Sequence, residues 1–160
     1  ELSGDWVILG GGVLPLLDAG HRVTLDIDVA GPPGSTQDQT LKLMRIAERL
    51  GLPVEAINQA AAYFLHRIDG WRDHLVEVRE GRTARILRPD VTLFVLLKIR
   101  RMTGADLDDC IRFVKWSEKH GDGPDVPVLI RSIDEALGTC ESAGQKERLD
   151  RLRQILESRG

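Results

Sequence analysis

Two cysteines in 160 residues, Cys110 and Cys140, match no metal or redox spacing. A disulfide framework and a cysteine-held metal are therefore not expected, and both thiols should stay reduced. A basic field is missing as well. The chain has 22 Lys and Arg against 25 Asp and Glu, a net charge of −3, so its global charge does not advertise a nucleic-acid binder. A local basic patch stays open. No apolar run is long enough to span a bilayer, and no signal-peptide pattern is present, which predicts a cytoplasmic protein with no membrane partner. The remaining composition, 42% hydrophobic and 29% charged, is that of a soluble globular chain long enough to bury a core.

One stretch departs from this ordinary background. Arg22-Val23-Thr24-Leu25-Asp26-Ile27-Asp28-Val29 alternates polar and apolar residues without a break. In a strand, Val23, Leu25, Ile27 and Val29 would face a core while Arg22, Thr24, Asp26 and Asp28 line the other side. Aspartate is depleted in strands, and like charges on one face repel. A cation between the carboxylates would remove the conflict, and Mg²⁺ is commonly held by one or two carboxylates with phosphate oxygens. A half-exposed strand with solvated aspartates fits the stretch equally well.

Upstream, Asp5-Trp6-Val7-Ile8-Leu9 reads as a short strand running into Gly10-Gly11-Gly12 and then Val13-Leu14-Pro15-Leu16-Leu17. Strand, glycine turn and helix present backbone N–H groups to a phosphate, because glycine allows close approach and a helix start favours anions. Alone, the glycine run is equally a tight turn. Fourteen residues before Asp26-Ile27-Asp28 it becomes part of a composite signal.

Together these residues resemble a family. Gly11-Gly12, then Gly20-His21-Arg22-x-Thr24-x-Asp26-Ile27-Asp28, looks like the first motif of the minimal nucleotidyltransferases of the AbiEii toxin type. These belong to the DNA polymerase β-like nucleotidyltransferase superfamily. The resemblance runs over residues 5–116. In that family a helix usually precedes the first strand, which implies a trimmed N-terminus here.

The rest of the chain reads as follows. Residues 30–35 are a Gly/Pro loop, and residues 38–50 an amphipathic helix with Leu41, Met44, Ala47 and Leu50 on its apolar face. Residues 54–65 read as a broken helical segment. Its Ile57-Asn58-Gln59-Ala60-Ala61, and Gly70-Trp71-Arg72-Asp73 beyond it, resemble stretches of nucleotidyltransferase-like relatives without an assigned chemistry. Trp71 is expected to be a buried packing anchor. Residues 74–78 and 83–87 flank Glu80-Gly81-Arg82 as a hairpin. Glu77 on that hairpin is the candidate for a third carboxylate, which the superfamily often carries on a neighbouring strand; it reads equally as an exposed strand glutamate.

Pro89 is expected to open a helix, with Asp90 at the positive end of its dipole. The run from Val91 to Met102 is apolar nearly all round and should be buried. Lys98 inside it either snorkels out or points into a polar site. The resemblance implies a role in the site. Lys98→Met is expected to leave the fold intact, since Met fills similar volume among apolar neighbours. Thr103 and Asp106 have capping-box spacing, and Asp106 and Asp109 share one helix face. Lys98…Asp106-Leu107-x-Asp109-x-Ile111 is similar to the family's closing motif, except that Ala105 stands where relatives often carry a basic residue. Residues 120–126 form a loop. Residues 128–137 and 145–157 are two more helices, the last with a Leu149, Leu152, Leu156 stripe expected to face its own domain.

These readings predict an α/β (α+β) fold: a small mixed sheet flanked by helices, residues 1–116, with a helical extension over 117–160. The resemblance implies Mg²⁺- or Mn²⁺-dependent transfer of a nucleoside monophosphate from an NTP. Asp26 and Asp28 would hold the metal, with Glu77 a further candidate. Gly11, Gly12, Arg22 and Thr24 would contact the triphosphate, and Lys98 would add positive charge. Asp106 and Asp109 are candidate additional site residues. The acceptor would be a tRNA or a protein hydroxyl, with an antitoxin as partner if the chain is a toxin. An inactive relative binding nucleotide, RNA or protein is the alternative.

Overall fold

The computed structural model describes residues 2–19, 26–34 and 36–159. Arg22, Thr24 and the rest of the alternating stretch up to residue 25 lie outside the described residues. The chain divides into two compact units, Glu1–Pro89 and Asp90–Gly160. The sequence division after residue 116 follows the reach of the motif resemblance instead.

The first unit is built on a mixed five-stranded sheet: β1 (Gly4–Leu9), β2 (Ile27–Ala30), β3 (Ile57–Asn58), β4 (Leu75–Glu80) and β5 (Ala84–Pro89), in the order β3-β2-β1-β5-β4. The expected α/β class is therefore present. β1 is central. It runs antiparallel to β2, with Leu9 opposite Asp28, and parallel to β5, with Trp6 opposite Ile86. The two-residue period puts Trp6, Ile8, Ile27, Val29 and Ile86 on one face, where they pack with Leu43. Each fully buried side chain of this size contributes about 1.5–3 kcal/mol. Trp6 keeps its ring donor satisfied by giving it to the Ser3 carbonyl at 3.1 Å. Asp5, Val7, Leu9, Asp28, Arg85, Leu87 and Glu77 share the opposite face.

After β1 the chain makes a 3-10 turn at Gly10–Gly12 and one helical turn, α1 (Val13–Leu16). α2 (Thr36–Arg49) is the expected amphipathic helix, rotated from its expected setting. Leu43 and Ala47 are buried, whereas Leu41, Met44 and Leu50 are exposed. Both sets have helical spacing, so periodicity identifies the helix while the sheet selects the face. The segment expected to be a broken helix is instead β3, pairing parallel to β2, and then α3 (Ala62–Leu65). The Ile27 amide donates to the Ala56 carbonyl at 2.7 Å, which draws this segment onto the sheet edge. The hairpin forms as expected, with β4 antiparallel to β5. Trp71, expected to be buried, is half-buried in a 3-10 turn.

The second unit is helical. Pro89 does not open its first helix: it ends β5, and Asp90 caps α4 (Val91–Ile99) by accepting from the Leu93 amide at 2.8 Å. α5 (Gly104–Lys119) starts at the expected capping box of Thr103 and Asp106. α6 (Val126–Thr139) and α7 (Ala143–Glu157) follow, and Leu149, Leu152 and Leu156 bury the stripe of α7 against the unit's own helices. Phe94 and Phe113 meet edge to face at 5.0 Å within this core. Among the described residues, no helix is long and apolar enough to cross a membrane.

Candidate active site

Strand pairing brings the glycine turn and one of the two aspartates together. Leu9, the last residue of β1, lies opposite Asp28. The next residue, Gly10, has φ +61°, a left-handed conformation that side chains disfavour. A Cβ on Gly10 would stand 2.7 Å from Asp28 Oδ2. The carboxylate therefore lies directly against the turn. A Cβ on Gly12 would meet only Ile8, at an ordinary 3.5 Å. Gly10 is thus a glycine whose missing side chain matters, beside the Gly11 and Gly12 that the sequence motif singles out. The available signal was its position as first residue after a strand.

This geometry predicts that Gly10→Ala destabilises the fold by about 1–3 kcal/mol, through backbone strain and the clash together. In an Asp28→Ala background the same substitution should cost clearly less. Urea unfolding of the four proteins measures the coupling; equal costs in both backgrounds would mean the carboxylate does not crowd the turn.

Asp28 is half-buried on β2, whereas Asp26 is exposed and lies just before the strand. The pleat therefore sets Asp28 on the face shared with Leu9. Asn58, from the stretch without an assigned chemistry, is a polar neighbour across the parallel β2–β3 pairing. Glu77 is not brought to the pair: β1 and β5 stand between β2 and β4. At about 4.8 Å per strand this is roughly 14 Å. Among the described residues, no group of three or more His, Cys, Asp or Glu side chains could hold a metal ion.

In the second unit, Lys98, Asp106 and Asp109 are brought together and buried. Lys98 Nζ donates to Asp106 Oδ1 at 2.9 Å and to Asp109 Oδ2 at 3.0 Å. Asp106 also accepts two bonds from the Arg101 guanidinium, both at 2.8 Å, and bonds from the Thr103 amide and hydroxyl at 3.0 and 2.8 Å. Arg101, unremarked in the sequence, thus supplies the positive charge that Ala105 does not. Burial pushes the Asp106 carboxyl up, but the bonds from Arg101, Lys98 and Thr103 outweigh it and hold the group well below the usual carboxylate range. Burial also drives the neighbouring Cys110 thiol up to about 12; Lys98 pulls the other way, and Asp106 and Asp109 add to the rise. That thiol is inert as a nucleophile.

Because folded Asp106 holds its proton less tightly than the unfolded chain does, its stabilising contribution is full above about pH 4 and is lost as pH falls below that. Asp106→Asn should therefore be less stable than wild type at neutral pH, and the two should converge on acidification. Urea midpoints between about pH 7 and pH 2.5 measure this. A constant gap down to the lowest pH would contradict it.

A family model described as a nucleotidyltransferase of unknown function (DUF6036) matches residues 1–140. The chain belongs to this nucleotidyltransferase family. No curated protein and no solved structure matches it. The match covers the glycine turn, both aspartates and the Lys98 cluster, and it bears out the nucleotidyltransferase resemblance at the family level; the AbiEii type is a finer assignment than the match makes.

For a nucleotidyltransferase-family chain, the donor chemistry can be weighed against a divalent metal. Asp28 supplies one carboxylate against the glycine turn, and Asp26 supplies a second two residues earlier in the chain. Mg²⁺ usually takes one or two carboxylates and completes its shell with water and substrate phosphates, so the donors present fit such an ion.

Proposed function

We propose that this chain transfers a nucleoside monophosphate from an NTP to an acceptor hydroxyl, with Mg²⁺ or Mn²⁺ held by Asp26 and Asp28. The observation that carries this reading is the Leu9–Asp28 pairing, which sets a half-buried carboxylate against the left-handed Gly10 turn in a nucleotidyltransferase-family chain. When bound, the metal would supply charge neutralisation at the α-phosphate and the leaving pyrophosphate. The acceptor hydroxyl oxygen forms a bond to the α-phosphorus as the bond to pyrophosphate breaks, and the hydroxyl proton is released to solvent. Backbone amides of Gly10, Gly11 and Gly12 orient the triphosphate, and Arg22 and Thr24 contact its oxygens. The positive charge that the family resemblance assigns to Lys98 is tied to α5 by Asp106 and Asp109. The acceptor is an RNA 3′ end, such as that of a tRNA, or a protein hydroxyl. The resemblance to the AbiEii type points to a toxin–antitoxin pair as one setting, with an antitoxin as partner.

A second reading, a nucleotide-binding relative without catalysis, is favoured by the separation of Glu77 from Asp28. The two readings part in one experiment. The protein is incubated with each α-labelled NTP, Mg²⁺ or Mn²⁺, and total RNA or lysate. Transfer of label to RNA or protein is expected; NTP binding without any labelled product would support the inactive relative.

A further inference from the structure

A cavity of about 840 Å³ opens on the face of the sheet that carries Asp28, at the opposite end of β1. Its floor is Val7 and Leu87, side by side on β1 and β5. One wall is the loop Gly31-Pro32-Pro33-Gly34, and the other is the stretch from Gln59 to Trp71. The loop is pinned from both sides. Gln39 Nε2 donates to the Pro32 carbonyl at 2.5 Å, and the Gly31 amide donates to Gln59 Oε1 at 3.3 Å. The volume lies within the range of small-molecule sites.

Three features of the lining define its ligand. The first is aromatic: Tyr63, His66 and Trp71 face the cavity, with Tyr63 60% exposed. The Arg72 guanidinium lies 4.3 Å from the Trp71 ring centroid and the His66 ring 5.5 Å from it, which fixes the indole in place. Flat rings stack on such surfaces. The second is an orphan donor. Gln59 Oε1 is engaged, but Gln59 Nε2 is buried with no hydrogen-bond partner. The amide is closed off in this arrangement and carries the cost of an unmade bond, which a ligand acceptor would recover if the Gln59 side chain shifts toward the cavity. The third is charge balance. Arg72 and Arg85 face Asp5 and Glu77, and Arg85 is already bound by Asp5 through bonds of 2.8 and 2.6 Å. Such a cavity does not select a phosphate. It suits a flat, uncharged ring carrying a hydrogen-bond acceptor.

We propose that this cavity takes a nucleobase, stacked on Trp71 and Tyr63 and hydrogen bonded through a ring acceptor to Gln59 Nε2. The choice of a nucleobase over another planar ring rests on the nucleotidyl-transfer reading. The base belongs either to the incoming NTP or to the unpaired end of an RNA acceptor. Gly10 lies three residues beyond Val7, about 10 Å along the strand, so either source is within reach of the transfer site. In this arrangement Glu77 belongs to the base pocket rather than to the metal.

The test uses the intact chain and binding alone. Adenosine, guanosine, cytidine and uridine, which carry no phosphate, are titrated by calorimetry and by tryptophan fluorescence, with Trp71→Phe identifying the signal of Trp71. The four NTPs and short single-stranded RNAs follow. At least one nucleoside should quench Trp71. Gln59→Glu keeps an acceptor for the Gly31 amide and replaces the donor with a carboxylate oxygen, and Gln59→Met removes the donor without adding charge. Each should weaken binding about tenfold or more, the scale of a lost hydrogen bond to a buried group. Tyr63→Ala, at an exposed position that leaves the fold alone, should weaken it as well. If the base comes from the NTP, these variants weaken NTP binding and spare RNA; the converse marks the acceptor. Asp28→Asn should still bind the nucleoside. Transfer that survives in Asp28→Asn would remove the proposed catalytic reading and leave the base pocket standing. Wild-type affinity of Gln59→Glu, Gln59→Met and Tyr63→Ala for every nucleoside, NTP and RNA, or no binding of any of them by wild type, would overturn the pocket whatever the transfer activity.

Discussion

Lys98→Met should lower stability by about 3–5 kcal/mol, enough to bring the Asp90–Gly160 unit close to unfolding. The sequence alone predicts an intact fold, because Met fills a volume similar to that of Lys and the flanking helix positions are apolar. The structure reverses that expectation. Lys98 Nζ is the shared donor of two carboxylates that are each almost wholly buried. Removing it takes one counter-charge from each of two buried carboxylates, Asp106 and Asp109, and less of their desolvation cost is then compensated. Removing all three charges together is a different change. Lys98→Met combined with Asp106→Asn and Asp109→Asn should recover a large part of the loss, since amides can be buried far more cheaply than ions. Urea unfolding followed by circular dichroism measures both proteins. A single mutant within about 1 kcal/mol of wild type would show that the cluster is not structural. Any loss of activity in Lys98→Met has to be measured well below its unfolding midpoint, because a partly unfolded protein would imitate a lost phosphate contact.

Asp28→Asn should abolish transfer, by at least about a hundredfold, the scale of removing one preorganised charge-stabilising group. The substitution keeps the shape that lies against Gly10 and removes the charge. Wild type with Mg²⁺ and NTP at a hundred times their dissociation constant should gain about 2.7 kcal/mol, since a ligand that binds only the folded state stabilises it by mass action. The variant should gain none of this. Thermal unfolding with and without Mg²⁺–NTP gives the shift, and the labelled-NTP assay gives the rate. A variant that keeps both would place the metal elsewhere.

The division between what was legible in the sequence and what was not follows the range of the forces involved. Helix caps, the 75–89 hairpin and the apolar runs were legible because their signals lie within a few residues of one another. Asp90 reaches the Leu93 amide, and Thr103 and Asp106 cap each other across three positions. The same local chemistry misled at Pro89, where a proline suited to a helix start instead ends a strand. The glycine turn and the Asp-Ile-Asp pattern were legible as a pair, and the family match agrees with the reading they suggested. Their contact was not, because it depends on the register that sets Leu9 opposite Asp28. The face of α2 that is buried, the distance of Glu77 from Asp28, the Arg101 bonds to Asp106 and the cavity beside Gln59 were all settled by tertiary structure. Each depends on which strands or helices become neighbours. Neighbours distant in sequence are chosen by the total burial and pairing of the whole chain, and no local pattern of residues carries that information.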